Sequence, residues 1–183
     1  MLSSAFVNRS FAQGDLGLWQ RPSKRVIKVN SDADVGKIWS SVAVVARDWR
    51  REVVFAYSKK VNTTIPLQAK AEGVLWAVQL SKFHGMDNVI FKSDSKMCMD
   101  AIASSNGSCP WLILNCILDL SGLSSCFSNL SFVWINSEAN STSHCLAKWS
   151  HQACWWGFFG VGLEPSCFSQ ACAADLRPSC LGS

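Results

Sequence analysis

The hydrophobic period of this chain changes at Pro66, and that change limits what it can fold into more than any other feature. Before it, Val26–Asp32, Ser41–Arg47 and Glu52–Lys60 are rich in β-forming residues. The last two runs are separated by Asp48-Trp49-Arg50-Arg51, the spacing of a hairpin. At Pro66, a residue suited to a first helical turn, the spacing becomes helical, with Leu67, Ala71, Val74, Leu75 and Val78 on a stretch that runs to His84 and closes at Gly85. A strand (Asn88–Ser93), a helix (Ser95–Ala103), a breaker (Ser104–Pro110) and a second apolar helix (Trp111–Leu120) follow. A last strand (Leu130–Ile135) and a last helix (Ala139–His151) complete the order βββαβααβα. It predicts an α/β fold in which an antiparallel meander is extended by strands that return through helices and so run parallel. Residues 1–23 read as a leader or linker, 24–151 as the domain, and 152–183 as a divergent tail rich in Trp, Phe and Cys.

Composition sets the remaining bounds. A chain of 183 residues suits one domain with appendages. Charged residues make up 16% and AVILMFWYC 49%, which excludes intrinsic disorder. The charge-free stretches are Ser-rich (Leu120–Ser137) or short (Gln152–Leu163), below the roughly 20 apolar residues that a bilayer demands, so no membrane partner is expected. Arg9 follows only a few apolar residues, which argues against a secretory signal and for an intracellular protein, cytoplasmic or nuclear. Nine cysteines, an odd number without a C-x-x-C pair, and three histidines point to reduced thiols rather than a zinc site or a disulfide framework. The net charge of +4 is mild, but residues 1–100 hold 15 basic and 9 acidic groups against 2 and 4 in the remainder. A polyanion would meet the first half, with Lys24, Arg25, Lys28, Arg50 and Arg51 as candidate contacts.

Asp32 lies at or near the end of the first strand and Asp94 immediately follows the fourth. If those strands are parallel neighbours, both carboxylates project from the carboxyl edge of the sheet, where open α/β sheets place their sites. A carboxylate pair there suits magnesium, a hard cation that prefers oxygen ligands. An Asp at a strand end is also ordinary turn chemistry, and spacing alone leaves both readings open.

Five stretches extend the pattern: Lys28-Val29-Asn30-Ser31-Asp32-Ala33; Ala43-Val44-Val45-Ala46-Arg47-Asp48; Pro66-Leu67-Gln68-Ala69 with Leu75-Trp76-Ala77-Val78-Gln79-Leu80; Asn88-Val89-Ile90-Phe91-Lys92-Ser93-Asp94-Ser95; and Glu138-Ala139-Asn140 through Leu146-Ala147-Lys148. In this order, over Trp19 to Ser150, they resemble the ribonuclease H-like domains of the plant, retroelement-derived type. The resemblance implies a mixed five-stranded sheet, three antiparallel strands then two parallel, flanked by helices, with the first and fourth strands adjacent. It also implies a carboxylate cluster that binds two Mg2+ ions and hydrolyses the RNA strand of an RNA/DNA hybrid. The family's first Asp falls on Asp32 and its strand-end Asp on Asp94, the implied metal ligands. Its last Asp falls on His144, a familiar variant, and its helix Glu falls on Lys70, the serious departure.

Glu72 is no substitute, because two residues on a helix differ by about 200° in direction. Lys70 shares its face with the small residues Gly73 and Ala77, Glu72 with Leu75, Trp76 and Gln79. An ammonium at position 70 removes a ligand and adds positive charge; it either pairs with Asp32 or Asp94 or carries its charge out to water. His144 reads as a proton-handling group near the metals or, more plainly, as one of a polar stripe with Lys148 and His151 at i, i+4 and i+7. His84 reads as a cap-region residue, and Trp76 and Trp134 as core. Two functions follow: a hybrid ribonuclease, or a catalytically inactive relative that binds nucleic acid or another protein, the latter through Trp155-Trp156-Gly157-Phe158-Phe159.

Overall fold

The computed structural model describes residues 21–104, 109–160 and 164–175. Strand β1 (Ile27–Val35) pairs antiparallel with β2 (Ser40–Arg47), and β2 with β3 (Val53–Val61). Helix α1 (Pro66–Phe83) returns the chain to β4 (Asn88–Ser93), which lies parallel to β1. Helix α2 (Lys96–Ala103), a 3-10 turn at Trp111–Ile113 and α3 (Leu114–Ser124) lead to β5 (Asn129–Trp134), parallel to β4. A second 3-10 turn, Glu138–Asn140, opens α4 (Ser141–Ala153).

The sheet has six strands, not five, in the order β5-β4-β1-β2-β3-β6. The additional strand, β6 (Gly157–Phe158), is two residues long and covers the open edge of β3. No period is readable over two residues, so only the pairing reveals it. Helix α5 (Ser166–Ala174) follows and packs against α4.

Alternation along β1 sends its residues to two different layers. Val29 and Ala33 face α1, and Gly73 of α1 passes beside Ser31 and Val42, where a β-carbon would meet Val42 at 3.1 Å. That close approach is why the first turns of α1 are built on Ala69, Gly73 and Ala77. The main core lies on this side, around Val29, Val44, Phe55, Val74, Val78 and Phe91. Ala43, Val45 and Ala56 face the other way, against Leu146 and Ala147 of α4, Phe159 and Phe168.

Residues beyond α4 are tied in by one buried acid. Asp175 forms a 2.5 Å ion pair with Arg47, whose side chain is 2% exposed, and accepts a hydrogen bond from Thr142 Oγ1 at 3.0 Å. Its backbone carbonyl accepts from Arg51 at 2.7 Å. Asp175→Ala leaves the Arg47 guanidinium buried without that carboxylate, and urea unfolding should show a loss of about 3–5 kcal/mol. Adding Arg47→Met should recover much of that loss; a cost of about 0.5 kcal/mol or less for Asp175→Ala, the size of a surface effect, would mean that α5 is not docked in solution.

Candidate functional site

Parallel register brings the two aspartates together. The β1–β4 ladder ends at Asn30 opposite Lys92, so Asp32 and Asp94 each stand two residues past the last pair, where the strands part. β1 does not end there, because β2 continues to pair with it as far as Val35. Asp32 is therefore a mid-strand residue with a side chain only 2% exposed, whereas Asp94 lies just beyond β4.

Lys70, in the first turns of α1, reaches into this parting. Its Nζ lies 2.6 Å from Asp94 Oδ1 and 3.2 Å from Asp32 Oδ1. From the other layer, His144 in the first turn of α4 donates Nδ1–H to Asp32 Oδ2 at 2.9 Å; a carboxylate only accepts, so the proton is on the imidazole. The Ala33 amide donates to Asp32 Oδ1 at 2.8 Å. Burial pushes the Asp32 carboxyl up, but His144, Lys70 and that amide together hold it below its ordinary range. Burial likewise pulls Lys70 down, and the two aspartates outweigh it, so the ammonium is held charged. The helix is fixed by Asn140, whose Nδ2 donates to the Ser31 carbonyl at 3.0 Å and whose Oδ1 accepts from Asn30 at 3.0 Å.

Next to this group lies a second pair of the same kind. His151 Nδ1 lies 2.6 Å from Asp34 Oδ2, against the ring of Trp39. Its signal was present in the sequence as two periods, Asp32 and Asp34 two apart on a strand and His144 and His151 seven apart on a helix. The polar stripe on α4 is thus real but not solvated throughout: both histidines hold carboxylates of β1, His151 is half-buried, and His144 and Lys148 are exposed.

Several other expectations need correction. Lys28 is 6% exposed, on the face of β1 that also carries Asn30 and Asp32, so it is not a surface cation. Arg51, with a positive φ of 72°, is turned toward Asp175. Arg50 is exposed, but pairs with Asp48 at 3.1 Å and Glu52 at 3.2 Å within its own turn. Trp134 is no core residue: it is 43% exposed and donates Nε1–H to the Asp94 carbonyl at 3.1 Å, which fixes an open ring beside the site. Trp76 is half-buried under Lys59, and His84 caps α1 with its ring stacked on Phe55. Of the sticky tail, Phe159 is buried and Trp156 bonds Ser41, leaving Trp155 and Phe158 part-exposed. Glu72 acts on Lys59 and Cys116, away from the aspartates.

The donor set does not fit a divalent ion. The Asp32 and Asp94 oxygens that would share it already share the Lys70 ammonium, and Asp32 Oδ2 is bonded to His144. Among the described residues no group of three or more His, Cys, Asp or Glu is arranged to hold a metal. None of the described helices is long and apolar enough to cross a membrane.

This arrangement lies within residues 30–150, which match the model of a family described as reverse transcriptase-like. The chain belongs to that family. Its ribonuclease H-like fold is shared with solved structures. Ribonuclease H1 from the halophilic archaeon Halobacterium salinarum NRC-1 superposes with a TM-score of 0.63 at 14% identity, over 70% of this chain and 98% of its own. LC11 ribonuclease H1 in complex with an RNA/DNA hybrid gives 0.62 at 17%, over 70% and 99%. The foamy viral protease-reverse transcriptase with an RNA/DNA hybrid gives 0.57 at 13%, over 70% of this chain and 20% of its own. At these identities the likeness establishes the fold. No curated protein matches the chain.

The His144–Asp32 bond makes stability pH-dependent in this reverse-transcriptase-like domain. Hydrogen bonding to Asp32, with the charges of Asp32 and Asp34, raises the His144 pKa above the ordinary value near 6.5, against burial and Lys148. A raised folded pKa contributes stability fully below about 6.5 and loses it as pH climbs through the folded value. Urea midpoints should therefore fall between pH 6 and 8, and His144→Asn should flatten that decline. An unchanged slope in the variant would show that the bond is absent in solution.

Proposed function

We propose that this chain is a ribonuclease H-type nucleic-acid-binding domain that receives an RNA/DNA hybrid at the carboxyl edge of its sheet but does not hydrolyse it. The observation that carries the reading is the Lys70 ammonium between Asp32 and Asp94. Two-metal hydrolysis sets two ions roughly 3.5–4 Å apart, clamping the attacking and leaving oxygens, and carboxylates offset their mutual repulsion. A fixed unit charge about 4 Å away opposes a divalent ion by roughly 8 kcal/mol at an effective dielectric of about 20, twice the value for two unit charges. That is on the order of a millionfold in affinity before the lost ligand is counted. His144 contributes here as a positioning residue that holds the buried Asp32 carboxylate, and not as a metal ligand.

Support for the hybrid as partner comes from the fold, since two of the proteins that share it were solved with an RNA/DNA hybrid bound. The family and fold support a nuclease ancestry, with Asp32 and Asp94 as its remaining acids and Mg2+ as the cofactor it used. Three forms compared at one magnesium concentration test the reading with a labelled hybrid. The wild-type chain should cleave at background, Lys70→Glu should gain magnesium-dependent cleavage of at least tenfold, and Glu72→Ala should stay at background. Robust wild-type cleavage, especially if lost in Glu72→Ala, would falsify it and make the chain a working nuclease.

A further inference from the structure

Helix α4 has three flanks, and two of them are accounted for. Leu146 and Ala147 are buried against β2 and β3, while His144 and His151 hold the acids of β1. The third flank is Thr142, Cys145 and Trp149, at i, i+3 and i+7, the spacing of one helical stripe. Helix α5 and its cap residue carry a stripe of the mirror spacing: Asp175, Cys172 and Phe168, at i, i−3 and i−7.

The ends of the two stripes are matched. Thr142 Oγ1 donates to Asp175 Oδ2 at 3.0 Å, and Phe168 shares one apolar cluster with Leu146, Ala147, Phe159 and Trp149. Only an antiparallel pairing of α4 and α5 satisfies both contacts. With the helices parallel, Phe168 and Trp149 would lie on opposite sides of the Thr142–Asp175 contact, each about 10 Å from it. The middle members therefore face one another, Cys145 from α4 and Cys172 from α5. Both thiols are free and half-buried, and Cys172 packs against the same cluster. Burial raises both, Cys172 to about 11, and thiol acts on thiol, Cys167 on Cys145 and Cys145 on Cys172. Packed helices have axes about 8–10 Å apart, with Cα atoms about 2.3 Å from each axis. Facing Cα atoms thus approach within roughly 3.4–5.4 Å, which overlaps the roughly 4.4–6.8 Å that a disulfide spans.

We infer that Cys145 and Cys172 form a reversible disulfide site that locks α5 onto α4, with a low-molecular-weight disulfide of the glutathione class as oxidant. The Cys145 thiolate attacks one sulfur of the oxidant, forming a mixed disulfide and releasing one thiolate; the Cys172 thiolate then attacks Cys145 Sγ and displaces the second. Two protein thiols become one disulfide, the oxidant becomes two thiols, and the two protons pass to the thiolates that leave. Burial keeps both protein thiolates scarce, so the uncatalysed exchange takes minutes to hours. The bond holds α5 without the Arg47–Asp175 pair, and it lies on a different flank of α4 from His144. The inference is independent of the hybrid-binding reading.

Incubation of the full chain with oxidised glutathione at pH 8, followed by peptide mapping and urea unfolding, tests it. Wild type and Cys167→Ser should yield a crosslink between Cys145 and Cys172. Their urea midpoints should rise on oxidation and return to the starting value with dithiothreitol. Cys145→Ser and Cys172→Ser should show neither the crosslink nor the rise. Mapping on the wild type decides the pairing even where a serine variant folds poorly. In Asp175→Ala, oxidation should restore part of the midpoint that the substitution lowers, because the disulfide then holds α5 alone. A crosslink from Cys145 to Cys167 overturns the inference. So do glutathione adducts on Cys145 or Cys172 without a crosslink, and a crosslink that leaves the midpoint unchanged.

Discussion

One buried carboxylate organises the functional end of this domain. Asp32 is charged although its side chain is almost wholly out of water, a state that costs several kcal/mol unless partners surround it. They come from both layers: Lys70 from α1 to one oxygen, His144 from α4 to the other, and the Ala33 amide from the strand itself. Two helices on opposite faces of the sheet are thereby tied through a single side chain. Loss of either partner exposes an uncompensated charge, so the geometry of the site and the docking of both helices are one problem rather than two.

The polar row on β1 explains how α4 finds its place. Lys28, Asn30, Asp32 and Asp34 occupy alternate positions and so share one face, while Val29, Ser31, Ala33 and Val35 take the other. An apolar helix cannot cover a row of that kind. α4 meets it with Asn140, Ser143, His144 and His151, and Asn140 bonds to Asn30 and to the Ser31 carbonyl while Ser143 bonds back to Asn140. Such networks are favourable only when their members are matched, and a shift of α4 by one residue would unmatch all of them together. The small residues of α1 and the polar residues of α4 are thus two answers to the two faces of one strand.

Much of this was legible in the sequence. Period alone located the first five strands and four helices, because each spans enough residues for alternation or helical spacing to register. Asp32 and Asp94 stood out by position, and the 200° argument separated Lys70 from Glu72 correctly: the first pairs with the acids and the second faces Lys59. Exposure was not legible. Lys28 looks like a surface cation until the sheet is assembled and Arg51 until α5 is placed, and α5 depends on Asp175 meeting Arg47 and Thr142, contacts 128 and 33 residues away in the chain. The same limit hid β6 and turned Trp134 outward: a two-residue strand and the last residue of an edge strand take their state from neighbours that sequence spacing does not name.

A lysine at position 70 also alters what the fold depends on. Acids gathered at one sheet edge repel, and in a metal-binding cluster the ion relieves that repulsion; stability then rises with metal concentration, because a ligand that binds only the folded state adds RT ln(1 + [L]/Kd). Here the relieving charge is covalently attached. Its effective concentration is set by the first turns of α1 and does not change with the medium. The repulsion of the like-charge pair is reduced in every folded molecule, whatever the metal concentration. An ammonium cannot do what a Lewis acid does to a phosphoryl oxygen or a bound water, and its single charge offsets one of the two carboxylates where a divalent ion would offset both. That difference follows from one side chain in the first turns of a helix whose seat on the sheet is set by the close approach of Gly73 to Val42.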